Sequence, residues 1–102
     1  MDDERDAALR ALLLAERVAY ARRARLRGSE IQACLRDGRI EDARHAAHKM
    51  CGSAGTYGFP GLGEIAREVC DALDHSDTVD GTLLDRLLVE CEAVEKSMEA
   101  IQ

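Results

Sequence analysis

The sequence predicts an all-α protein folded as an antiparallel up-and-down four-helix bundle, with or without an extra helix or turn at the N-terminus. Three observations carry this. Apolar content comes mainly from Ala and Leu, while Val, Ile, Phe and Tyr are scarce, so helix-formers dominate and strand-formers are few. Three segments place apolar residues at alternating steps of three and four, the spacing of a buried helical stripe. The breaks between them are short, which makes successive helices antiparallel neighbours. The 102 residues suit one domain spanning positions 1–102.

From Arg5 to about Leu26 apolar residues fall on nearly every face (Leu9, Leu12, Leu13, Leu14, Val18, Tyr20), so a helix is predicted without a defined buried side. Gly28-Ser29 interrupts it, and Ser29-Glu30-Ile31-Gln32 has the spacing of a capping box, so a bend or restart is expected there. Asp37-Gly38 closes that piece, with Gly38 in the left-handed conformation that ends helices. The next segment has a clear seam at Ile40, Ala43, Ala47, Met50, Ala54 and Tyr57. Gly58-Phe59-Pro60 reads as a stop followed by a start, since Pro is tolerated in a first turn where its missing N–H costs nothing. A third seam follows at Leu62, Ala66, Val69 and Leu73. After a polar stretch from His75 to Gly81, a fourth runs through Leu84, Leu87, Cys91, Val94, Met98 and Ile101.

Composition excludes several classes. The net charge is −6, and residues 58–102 carry 3 basic against 11 acidic side chains. A general nucleic-acid binder is therefore disfavoured, and the one basic cluster, Arg22, Arg23, Arg25 and Arg27, reads as a solvated helix face. No apolar run is long enough to span a bilayer, and the acidic start Met1-Asp2-Asp3-Glu4 is wrong for a secretory signal. Cys34, Cys51, Cys70 and Cys91 are widely spaced within helical patterns, as expected of free thiols in a cytoplasmic protein. A glycine-rich phosphate cradle, an Asp cluster for Mg²⁺ and a carboxylate at helical spacing to set His48 against a Ser nucleophile are all missing.

The informative position is His48. Taking about 100° per residue with zero at Ala43, the seam lies within about 60° of zero, whereas His48 lies near 140°, Gly55 near 120° and Gly52 near 180°. The imidazole thus faces outward beside a helix face stripped of side chains. Two interior glycines each cost about 1 kcal/mol relative to Ala, so their place on the His48 side suits a second macromolecule that must approach closely. A neutral imidazole nitrogen is nucleophilic near pH 7 and can take a phosphoryl group as a phosphoramidate. Lys49 and Arg44 are the nearby cations able to neutralise phosphoryl oxygens.

These residues carry a resemblance. Ala47-His48-Lys49-Met50-Cys51-Gly52-Ser53-Ala54-Gly55, followed by Gly58 and Leu62, resembles the signature of histidine-containing phosphotransfer (Hpt) domains, A-H-x-L-K-G-S-A-x-x-x-G-x-x-x-L. Leu35-Arg36-Asp37-Gly38 upstream also fits, and the clear match covers about residues 33–73. The resemblance implies a four-helix bundle that shuttles phosphoryl groups among receiver-domain aspartates, with His48 as phosphoacceptor. It further implies that Gly52 and Gly55 clear room for the receiver, with Ser53, Cys51 and the neighbouring His45 at the docking surface. The implied partners are a receiver domain, which brings its own Mg²⁺, and an upstream hybrid sensor kinase; the carrier needs no cofactor of its own and is expected to be monomeric or weakly associating. Two positions depart from the pattern: Cys51 stands where the family usually has Lys, and Cys70 where many members have the Gln or Glu that orients the imidazole.

Two other readings stand beside this one. His45, His48 and Cys51 step by three and could share an ion with Cys70, although their angles spread over about 120°, poor convergence for zinc. The third is a helical interaction module that docks without carrying phosphate.

Overall fold

The computed structural model describes residues 2–101. Four helices follow in order: α1 (Asp2–Arg36), α2 (Ile40–Ala54), α3 (Pro60–Ser76) and α4 (Gly81–Ile101). Around the bundle α1 packs on α2 and α4, and α3 packs on the same two, giving the up-and-down ring. The described residues contain no strand.

The seam of α3 folds as its spacing predicts, and that of α2 does so from Ala43 to Ala54, where the helix ends, leaving Ile40 partly buried and Tyr57 in the turn beyond. Ala43, Ala47, Met50 and Ala54 are buried in α2, joined by Ala46, and Leu62, Ala66, Val69 and Leu73 are buried in α3. In α4 the buried set is Leu87, Cys91, Val94 and Met98, with Leu84 partly buried and Ile101 exposed. The helix ends are also as the glycines indicate. Gly38 has φ +75°, with Arg39 N–H donating to Cys34 O (2.8 Å) and Gly38 N–H to Leu35 O (3.3 Å). Gly58 repeats the arrangement at φ +88°, with Phe59 N–H on Ala54 O (2.9 Å) and Gly58 N–H on Gly55 O (3.0 Å). Both are left-handed helix terminations that satisfy orphan carbonyls. Pro60 then opens α3.

Helix α1 departs from expectation in two ways. It runs unbroken through Gly28-Ser29, so there is no restart and no additional N-terminal helix. Gly28 instead lets α4 approach: a Cβ there would lie 3.1 Å from Cys91 Sγ and 3.5 Å from Leu88 Cδ2. Tertiary packing outweighs the local helix-breaking tendency of Gly, about 1 kcal/mol relative to Ala. The second departure is the identity of the buried side. Val18, Tyr20, Ala21, Ala24 and Gly28 carry it, followed by Ile31 and Cys34, while Leu9, Leu12 and Leu13 are more than half exposed. The stretch from His75 is also not all loop, because α3 extends through Ser76 and ends on Asp77 in the left-handed region (φ 57°).

Candidate functional site

The site is a shallow face formed by the middle of α2 and the last two turns of α3. His48 projects from α2 with its side chain 53% exposed. Across the helix pair its Nε2 lies 3.4 Å from Asp74 Oδ2 and 3.5 Å from Oδ1. Asp74 is in turn held by Arg44, whose Nε is 3.1 Å from Oδ1. Arg44 also pairs with Glu41, donates to Leu73 O (2.7 Å) and to Asp77 Oδ1 (2.6 Å), and its pKa is pushed above the ordinary arginine value, first by the bond to Glu41. A chain Arg44–Asp74–His48 thus fixes a carboxylate beside the imidazole. A carboxylate there takes up one ring N–H and leaves the other nitrogen with its lone pair.

The bald face is present. Gly52 and Gly55 are exposed, and a Cβ on either would meet nothing within 4 Å. Lys49 and His45 are exposed on the same helix, and Lys49 Nζ has no ion-pair partner among the described residues. Cys51 is half-buried one turn beyond His48, bordering a shallow hollow of about 220 Å³ with Gly55, Gly63, Glu64 and Arg67.

Three predicted site residues sit differently from expectation. Arg44 is committed to three carboxylates and so bears on His48 through Asp74. Cys70, at the position read as orienting the imidazole, is 3% exposed; burial, then the neighbouring Cys51, pushes its pKa up to about 12. The carboxylate beside His48 comes one helical turn later. Ser53 donates to Lys49 O (2.7 Å) and accepts from Tyr20 (2.8 Å), so its hydroxyl ties α2 to α1. The metal reading lacks convergence: no group of three or more His, Cys, Asp or Glu among the described residues could hold one ion.

The sequence reading missed Asp74, Tyr20 and Arg17. The ring of Tyr20 stacks on Tyr57 (centroids 4.4 Å apart, planes 8° apart), and Arg17 Nε donates to Tyr57 O (3.0 Å) while its guanidinium lies 4.9 Å from the centre of the Phe59 ring. Together they clamp the α2–α3 turn and so fix the end of the glycine face. Asp74 had one available signal, its place one turn after Cys70 on the α3 face that meets α2.

The Hpt domain family model matches residues 4–102. The chain belongs to the Hpt domain family. Among curated proteins and among solved structures no relative matches. Hpt domains are helical phosphocarrier modules of two-component systems, and the four-helix architecture agrees with that membership. No helix among the described residues is long and apolar enough to cross a membrane.

Thiol exposure gives a direct check on this geometry. In the folded Hpt domain Cys51 is expected to be alkylated by iodoacetamide well before Cys34, Cys70 and Cys91, because those three are buried, and burial pushes the pKa values of Cys70 and Cys91 up to about 12. Peptide mass spectrometry after a short pulse reads the order, and equal labelling of Cys51 and Cys70 would contradict the α2–α3 packing described.

Proposed function

We propose that this Hpt domain relays phosphoryl groups between His48 and aspartates of response-regulator receiver domains. The observation that carries the reading is an exposed imidazole beside two glycines, with one ring nitrogen facing a fixed carboxylate. The transfer balances simply. The free imidazole nitrogen attacks the phosphorus of a receiver's phospho-aspartate, an N–P bond forms, and the P–O bond to the aspartate breaks. The other ring nitrogen keeps its proton, with the Asp74 carboxylate as acceptor, and the reverse step restores both partners. The receiver supplies Mg²⁺ and the high-energy donor, so the Hpt domain acts as a carrier with no kinase activity of its own. Lys49 is the exposed cation on the same turn that could approach phosphoryl oxygens, and Arg44 acts as a positioning residue by holding Asp74. Upstream we place a hybrid sensor kinase, in a cytoplasmic setting.

The test is incubation of the full chain with a phosphorylated receiver domain. Label that is acid-labile and base-stable is expected on the Hpt domain; receivers that bind it without transferring label would support a docking module in place of a relay. A second measurement concerns the glycine face. A Gly52→Leu variant is expected to be stabilised by up to about 1 kcal/mol, since helix propensity rises and the new side chain enters open space. Its transfer rate should nevertheless fall by about tenfold or more, because the receiver can no longer reach His48 closely. Unchanged transfer would show that the partner approaches by another face.

A further inference from the structure

We propose that Cys51 and Cys70 form a redox modification site: a hydroperoxide oxidises Cys51, and Cys70 then closes a reversible disulfide that ties α2 to α3 one turn from His48. The inference stands apart from phosphoryl transfer and needs no receiver domain. The register of the two antiparallel helices sets the thiols opposite each other. On one side of them His48 of α2 meets Asp74 of α3 at 3.4 Å, and Arg44 reaches Asp74 and Leu73 O. On the other side a Cβ on Gly63 would lie 3.7 Å from Ala54 Cβ and from Gly55 N. Cys51 follows His48 by three residues and Cys70 precedes Asp74 by four, so the pair falls at one level between these contacts. Cys51 also borders the α2–α3 hollow with Arg67, one turn before Cys70. Small side chains at Ala47, Ala54 and Ala66, with Gly63, bring the two backbones close, as a disulfide with its Cα separation of about 4–7 Å requires.

The other two thiols have no such counterpart. Tyr20 meets Ser53, so Cys34 lies about 18 Å along α1 from the level of Cys51. Gly28 of α1 packs on Cys91, which puts Cys34 about 9 Å along the helix from that thiol. Gly61 faces Glu90, so Cys91 is level with the start of α3, about 13 Å along it from Cys70. Exposure separates the two members of the pair as well. Cys51 is half-buried, whereas Cys34, Cys70 and Cys91 are buried. An accessible thiol that meets the oxidant, with a second thiol beside it to resolve the product, is the arrangement of reversible redox cysteines.

With hydrogen peroxide the steps balance as follows. The Cys51 thiolate attacks one peroxide oxygen, the O–O bond breaks and hydroxide leaves, giving the Cys51 sulfenic acid. The Cys70 sulfur then attacks the Cys51 sulfur. An S–S bond forms, the S–O bond breaks, and the departing hydroxide takes the Cys70 proton as water. Two thiols are oxidised and one peroxide is reduced. Burial, then Cys51, pushes the Cys70 pKa up to about 12, so its thiolate is scarce and closure is the slower step. Once closed, the bond fixes the axial offset that keeps Asp74 opposite His48.

The test exposes the reduced full chain to hydrogen peroxide, blocks remaining thiols with N-ethylmaleimide and maps disulfides by peptide mass spectrometry. Cys51–Cys70 is expected as the main disulfide, within one chain and removed by dithiothreitol. In Cys70→Ala the bond cannot close, so dimedone should trap the Cys51 sulfenic acid; in Cys51→Ser the buried Cys70 should stay reduced. The oxidised parent should melt about 5 °C or more above the reduced chain, because the bond constrains the unfolded state. A parent in which Cys51 oxidises without joining Cys70, or joins Cys34 or Cys91 instead, overturns the proposal. So does a chain whose thiols all survive the peroxide, or an oxidised form that melts no higher than the reduced one.

Discussion

A His48→Gln variant is expected to accept no phosphoryl label from a phosphorylated receiver domain while folding as the parent does. The amide nitrogen of Gln has its lone pair delocalised into the carbonyl and cannot form the phosphoramidate, so the loss is that of the nucleophile itself, about 10³-fold or more in rate. The fold should be indifferent, because the His48 side chain is 53% exposed and its one polar partner is Asp74 at 3.4 Å. Asp74 keeps its pairing with Arg44 in the variant. Gel-resolved labelling with acid and base treatment reads the effect, and a far-ultraviolet circular dichroism melt checks the fold. Label retained at the parental level would move the acceptor elsewhere, His45 on the preceding turn being the first place to look.

Met50→Ala should have the largest effect on stability. Met50 lies on the opposite side of α2 from the glycine face and is fully buried among the core side chains of the bundle. Truncation removes several buried heavy atoms and leaves a cavity that helices held at both ends cannot close, costing about 2–5 kcal/mol. For a domain of this size that is a large share of a total of about 5–15 kcal/mol, and it lowers the melting temperature by roughly 10 °C or more. Urea and thermal unfolding measure the change. At low temperature, where the variant is still folded, phosphoryl transfer should persist, since no atom of Met50 belongs to the exposed face. A loss below about 1 kcal/mol would mean that the α2 seam packs less tightly than its burial indicates.

The seams of α2, α3 and α4 were legible because each repeats apolar residues every three or four positions and has polar residues elsewhere, so one face alone can be buried. Gly38 and Gly58 were legible as terminators because a positive φ suits a residue without a Cβ, and both adopt it. His48 was legible as outward-facing from angle alone. In α1 the same logic failed. Its leucines suggested no single face, and the structure buries Val18, Tyr20, Ala21, Ala24, Ile31 and Cys34 in their place, because this stripe faces α2 and α4 while Leu9, Leu12 and Leu13 stay exposed near the N-terminal end. Gly28 misled for the same reason, since its local signal is a helix break but its packing role is to admit Cys91.

The surroundings of the imidazole divide along the same line. Sequence by itself determined the helical class, the turns at Gly38 and Gly58 and the histidine with its glycine face, all of which depend on neighbours within a few residues of the chain. Only the tertiary structure decided that Asp74 and not Cys70 faces His48, that Arg44 serves that carboxylate, and that Ser53 turns toward Tyr20. Which residue of α3 stands opposite a given residue of α2 depends on the axial offset and rotation between two packed helices. One turn of offset, about 5 Å, replaces one partner by another without altering either helix's periodicity.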